Sequence, residues 1–196
     1  MKKIFFIVFL FLNQSQNIFS QEFKLQEAIN GLNSPWSLSF ISNDRVIATE
    51  KSGNLMLIDF NINEIKKIKH NLNILEDGQG GLLEVLYFKD QVFVSYSEDL
   101  KRGYSTTSVA KANFNENELN FQNIFRAEPP INSGYHFGSR LVIKDNLLYI
   151  TAGERGKGMI AQDPLKHPGS IIRVHLDGEI PKDNPKFIDK KDWLPE

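Results

Sequence analysis

The chain has 196 residues, 41% of them hydrophobic and 11% aromatic, with a formal net charge of -1. That is enough apolar material for a sizeable core, and a near-neutral balance with no basic stripe between aromatics excludes a nucleic-acid-binding polyelectrolyte. Cysteine is absent, which excludes disulfides and thiolate metal sites.

The first twenty residues read as an export leader. Met1-Lys2-Lys3 is basic, Ile4 to Leu12 is an unbroken apolar run, and a polar stretch from Asn13 leads to Ile18-Phe19-Ser20, a layout that places cleavage at Ser20-Gln21. A retained membrane anchor is the competing reading, but the nine apolar residues fall short of a hydrocarbon core roughly 30 Å thick. Without a cysteine after the run, a lipoprotein is excluded. A signal peptide over 1–20 and a mature, soluble chain in the periplasm or medium are therefore expected.

From there on, short strands follow one another. Trp36–Phe40, Arg45–Thr49 and Asn54–Ile58 are β-rich runs parted by Asn-Asp and Ser-Gly turn signals. A second cycle runs through Gly81–Phe88, Gln91–Ser97 and Ser105–Ala112, and a third through Ser139–Ile143, Leu147–Thr151 and Ser170–Val174. A period of about 45 to 50 residues with three or four short strands per unit is the pattern of a β-propeller blade. A β-sandwich also has short, evenly spaced strands, but long loops at the same point of each cycle favour the propeller. The expectation is an all-β, partial β-propeller over 21–196 with about three blades.

In a propeller the inner strands line the central channel, so segments that enter them converge at one mouth. Gln79-Gly80-Gly81 precedes the second inner strand and His136-Phe137-Gly138 precedes the third. Two segments distant in sequence therefore point to one place.

Six motifs occur in order along this frame: Asn33-Ser34-Pro35-Trp36-Ser37-Leu38, Gly78-Gln79-Gly80-Gly81-Leu82-Leu83, His136-Phe137-Gly138-Ser139-Arg140-Leu141, Ala152-Gly153-Glu154-Arg155-Gly156, Ala161-Gln162-Asp163, and Gly178 to Pro185. Together they resemble the glucose/sorbosone dehydrogenase family, the soluble aldose sugar dehydrogenases that use pyrroloquinoline quinone (PQQ). The resemblance spans Leu32 to Pro185. It implies a six-bladed propeller, exported to the periplasm, that oxidises an aldose at its anomeric carbon and passes electrons to an acceptor. It also implies a quinone lying flat at the channel mouth with calcium beside it.

The resemblance assigns roles to four positions. His136 stands where the family carries its general base, and an imidazole titrating near neutrality suits removal of a hydroxyl proton as hydride leaves carbon. Gln79 matches a cofactor-contacting glutamine; an amide donates to a quinone oxygen or carboxylate without changing the site's charge. Arg140 offers a guanidinium to a carboxylated cofactor, with a structural ion pair as the alternative. Gln162 falls near a second family glutamine. Tyr135 stands where glucose-specific members carry an acidic residue. His70, in a Lys-rich stretch, and His175, in an outer strand, read as solvated. His167 with Glu154 and Asp163 matches no metal template, and Asp177-Gly178 and Asp183-Asn184-Pro185 read as turns.

Three blades do not close a ring, and the sequence ends at Lys191-Asp192-Trp193-Leu194-Pro195-Glu196, where the family continues toward a Gly-His-Arg-Asn segment. The expectation is the N-terminal half of such an enzyme, with calcium ligands and further cofactor contacts beyond it, and with neither tight quinone binding nor sugar turnover by this half alone. A non-catalytic extracytoplasmic propeller that binds a ligand is the alternative, and it would tolerate His136→Gln. A calcium-dependent lactone hydrolase needs an inward cluster of carboxylates, which Glu84 alone does not supply.

Overall fold

The computed structural model describes residues 23–185, so the leader expected over 1–20 lies outside the described residues. Twelve strands form three sheets among them, antiparallel except for one parallel pair. The first blade is a meander of β1 (Pro35–Phe40), β2 (Arg45–Glu50), β3 (Leu55–Asp59) and β4 (Glu64–His70). The second contains β5 (Leu82–Phe88), β6 (Gln91–Asp99), β7 (Ser105–Asn113) and β9 (Gln122–Arg126), while the short β8 (Glu118–Leu119) crosses to pair in parallel with β4. The third contains β10 (Gly138–Lys144), β11 (Leu147–Ala152) and β12 (Ile171–His175). First strands meet first strands, β1 on β5 and β5 on β10. This is a stack of propeller blades, not the two facing layers of a sandwich.

Burial explains the sequence pattern of each blade. The middle blade is covered on both faces, so β6 is buried without a break from Val92 to Ser97, and β7 from Ser105 to Ala110. In the third blade the described residues cover one face, and β11 alternates strictly, with Leu148, Ile150 and Ala152 inward. Ile47, Leu55, Leu57 and Ile68 of the first blade pack on Leu82, Val85, Val92 and Val94 of the second. Phe93, Val109 and Phe125 of the second pack on Leu141, Leu148, Ile150 and Ile172 of the third. Each such side chain, fully buried, contributes about 1.5–3 kcal/mol. Over the outer face of the first blade the segment at Ile29 and Leu32 packs on Val46, Ala48 and Ile58.

Polar contacts then fix the blades end to end. Every inner strand is bulged where it begins, between Pro35 and Ser37, Leu82 and Val85, and Gly138 and Leu141. A bulge takes a residue out of the ladder. In each blade the N–H of a residue in or bordering the bulge donates to a hydroxyl on the second strand: Ser37 to Thr49 (3.2 Å), Glu84 to Ser95 (3.0 Å) and Arg140 to Thr151 (2.9 Å). Two of these hydroxyls pass the bond on to the next blade. Thr49 donates to the Leu83 carbonyl at 2.5 Å and Ser95 to the Ser139 carbonyl at 2.6 Å, both buried. Thr151, in the last described blade, reaches back to the Arg140 carbonyl at 3.5 Å.

Three strands, β4, β8 and β9, were not anticipated from sequence. His70 is not in a solvated loop: it ends β4, its Nε2 lies 2.7 Å from the Gly53 carbonyl and its Nδ1 accepts the Leu72 N–H. His175 ends β12 and is exposed. Asp177 accepts the Glu179 N–H in a turn, and Asp183 pairs with Arg173.

The relay makes a graded expectation. Thr49→Val and Ser95→Ala each strand a buried carbonyl and an N–H outside the ladder, and each should cost about 1–3 kcal/mol in urea unfolding. Thr151→Val should cost less, because it joins no second blade. Equal losses at all three positions would contradict the relay.

Candidate functional site

The site is built where two loops touch through glycine. A Cβ on Gly78 would lie 2.4 Å from the Gly134 carbonyl oxygen, so only glycine lets the loop before β5 lie against the loop before β10. That approach lets the Gln79 N–H donate to the Gly134 carbonyl (2.7 Å), and the Gln79 Oε1 accept the His136 N–H (2.8 Å). Gln79 and His136, 57 residues apart, are thus directly bonded. Both are exposed.

His136 itself stands in the left-handed region, with φ 49°, followed by Gly138 at 72° and Ser139 at 76°. For a residue with a Cβ such a conformation costs about 1–3 kcal/mol and persists only when the surroundings hold it. They do so on every side. Thr107 donates its hydroxyl to the Phe137 carbonyl at 2.7 Å, and the N–H groups of Gly153 and Arg155 donate to the Phe137 and His136 carbonyls at 3.0 and 3.3 Å. A Cβ on Gly153 would fall 2.0 Å from the His136 oxygen, so this position too must be glycine.

The result is a paired imidazole. His136 Nδ1–H donates to Glu154 Oε1 in a short contact. An ionised carboxylate only accepts, so this partner fixes the proton on Nδ1 and leaves Nε2 as the basic nitrogen. The histidine side chain is 50% exposed, so a ligand can reach it. Hydrogen bonds from His136 and from the Gly156 N–H hold the Glu154 carboxyl below its ordinary range, against a smaller opposing effect of burial. The carboxylate therefore stays anionic at neutral pH.

Arg140 lies two residues down β10 from Gly138. Its guanidinium donates to Glu84 Oε2 at 2.7 Å and stacks 4.3 Å from the centre of the Trp36 ring. Glu84 also accepts the Ser37 hydroxyl at 2.5 Å. The ion pair weighed from sequence is thus present and joins the inner strands of all three blades, yet the arginine side chain remains 61% exposed. Trp36, Glu84 and Arg140 help line a cavity of 570 Å³ that continues onto Leu32, Ile58 and Phe60. Gln162 is the exposed last residue of a short 3-10 helix, Gly158–Gln162. His167 is buried, accepts the Glu128 N–H at Nδ1 (2.7 Å) and packs edge-on to Phe125, and burial pushes its pKa down. Among the described residues no group of three or more His, Cys, Asp or Glu side chains could hold a metal ion.

Two contributors went unassigned in the sequence. Glu154 is one, although the hairpin register announces it: pairing Gly138 with Ala152 sets His136 opposite Glu154. The other is Arg155, 2% exposed, whose guanidinium burial pushes down to about 10.

Comparison with known proteins places these residues in a family. The model of the glucose/sorbosone dehydrogenases matches residues 32–196. The aldose sugar dehydrogenase of Escherichia coli K12 is 32% identical over 164 residues, covering 79% of this chain and 44% of that protein. Quinoprotein glucose dehydrogenase B of Acinetobacter calcoaceticus is 26% identical over 211 residues, covering 86% of this chain and 42% of that protein. The crystal structure of the soluble E. coli aldose sugar dehydrogenase in its apo form superposes with a TM-score of 0.81 at 29% identity, over 87% of this chain and 52% of that one. The chain spans about half the length of these relatives.

The carboxyl of Glu154, followed by carbon-13 NMR, should titrate below its ordinary 4.5. Because the folded value is depressed, the pair's contribution is fully present above pH 4.5 and is lost as pH falls through the lowered value. In His136→Phe the titration should move up; an unchanged midpoint would show that the contact does not hold in solution.

Proposed function

The chain belongs to the glucose/sorbosone dehydrogenase family, and on that footing we propose that it carries the general base of an aldose dehydrogenase that oxidises the anomeric carbon of a sugar. Support comes chiefly from the His136–Glu154 pair at the mouth of the inner strands, which leaves one basic nitrogen on a half-exposed ring. PQQ, if bound here, would supply the hydride acceptor and the route for electrons to an external acceptor. The residues present suit such a planar, carboxylated group. Gln79 commits its Oε1 to the His136 N–H, so what it offers a ligand is its NH₂. Arg140 presents an exposed cation already oriented by Glu84 and Trp36. Gln162 is kept as a third proposed contact.

His136 performs the proton transfer. The anomeric hydroxyl donates to Nε2, the O–H bond breaks as the C–H pair of electrons departs, and the imidazolium that forms lies against the Glu154 carboxylate. A positioned base of this kind contributes roughly 10²–10⁴-fold. Calcium, also implied by the resemblance, finds no ligand cluster among the described residues, and no step is assigned to it. Tyr135, exposed beside the histidine ring, stands in place of the acidic residue of glucose-specific members, so a broad aldose range is proposed and not glucose alone. Export through the leader at 1–20, and a domain beginning near residue 21, complete the proposal; no described helix is long and apolar enough to cross a membrane.

The activity is proposed for the protein of full family length that carries this chain. Reconstituted with PQQ and calcium, that protein should reduce a dye when given aldoses, and His136→Gln should lower kcat by roughly 10²–10⁴. A protein that binds the quinone yet ignores a broad panel of aldoses, or a fully active His136→Gln variant, would overturn the reading in favour of a non-catalytic binding propeller.

A further inference from the structure

The guanidinium of Arg155 is one of the most enclosed polar groups of the molecule, and none of the described ion pairs includes it. Its hydrogen-bond partners are neutral, and the Asp77 carboxylate acts on it only through space. Nε donates to the Tyr135 carbonyl (2.9 Å), one terminal nitrogen to the Ser105 carbonyl (3.0 Å), and the other to the Ser105 hydroxyl (3.0 Å) and, in a short contact, to the Ser133 carbonyl. The face of the group lies 3.6 Å from the centre of the Phe137 ring. Every one of these partners except Ser105 belongs to the segment that delivers His136.

A buried cation with no anion in direct contact is a poor stabiliser, because its desolvation is only partly offset by carbonyl dipoles and by the Asp77 carboxylate acting through space. What a planar fork with several fixed donors supplies is geometry, and a lysine ammonium cannot reproduce it. His136 needs that geometry, since its left-handed backbone is strained. We propose that Arg155 is the positioning residue of this site, its guanidinium clamping the carbonyls of Ser133 and Tyr135 to the start of β7 and thereby setting the turn from which His136 reaches Glu154. The inference rests on the reading of His136 as the base. Arg155 touches neither the sugar nor the reacting nitrogen and acts through the loop.

The test needs no sugar or quinone. Proton and nitrogen-15 NMR of the full chain would follow two signals in Arg155→Met and Arg155→Lys: exchange of the His136 amide, which is bonded to Gln79, and the downfield Nδ1–H resonance of His136. Both variants should speed that exchange about tenfold or more and lose the downfield signal, while amides of Phe93, Val94 and Ser95 in β6 stay protected. Unchanged site signals in both variants would overturn the proposal. So would equal loss of protection in β6, which would make Arg155 a residue of the whole scaffold. A failed dye assay would leave this result standing, and failure here would leave the role of His136 to that assay.

Discussion

The hydroxyl that bridges one blade to the next is the interaction on which the remaining geometry depends. A bulge at the start of each inner strand leaves an N–H outside the ladder, and Thr49, Ser95 and Thr151 each accept one. Because Thr49 and Ser95 also donate to the following blade, blade-to-blade register is set at the mouth end of the stack and not at its middle. Apolar packing alone would tolerate a sliding sheet. A buried hydroxyl with one partner on each side does not, since a slip leaves both without a bond. The Ser139 carbonyl that receives the Ser95 hydroxyl belongs to the same bent segment as His136.

Rigidity at the mouth and strain in the loop are two aspects of one arrangement. Residues 136, 138 and 139 all have positive φ, and the segment is held by Thr107 from β7, by Gln79 from the second blade and by Arg155 from beyond β11. Such constraint has a chemical use. A base that must accept a proton as hydride leaves gains most when its ring is already oriented, and the Glu154 carboxylate fixes both the ring and its tautomer. The inner strands meanwhile present Arg140 and Glu84 as a pair with little net charge, on a surface shared with Trp36.

Much of this was legible in the chain. The run of apolar and small residues from Val92 to Ser97 in β6 and the alternation of β11 encode a blade covered on two faces and one that the described residues cover on one, and the anticipated strands fall within a residue or two of their expected limits. β4, β8 and β9 were not legible, because four of the seven residues of Glu64–His70 are lysine or histidine, Glu118–Leu119 is only two residues long and Gln122–Arg126 opens on two amides, compositions without a periodic signal. His136 and Gln79 were readable because both precede inner strands. Glu154 required the hairpin register as well as the motif. Arg155 could not be found by type, since a buried arginine with no carboxylate hydrogen-bonded to it contradicts the usual preference for the surface.

The central claim is that Glu154 holds the proton of the His136 ring on Nδ1 and leaves Nε2 as its basic nitrogen. Nitrogen-15 chemical shifts of the His136 ring, recorded for the full chain with the imidazole neutral, measure this directly. The account predicts a protonated, pyrrole-type Nδ1 and an unprotonated, pyridine-type Nε2, with the preference lost in Glu154→Gln. A ring protonated at Nε2, or a tautomer indifferent to Glu154, would contradict it.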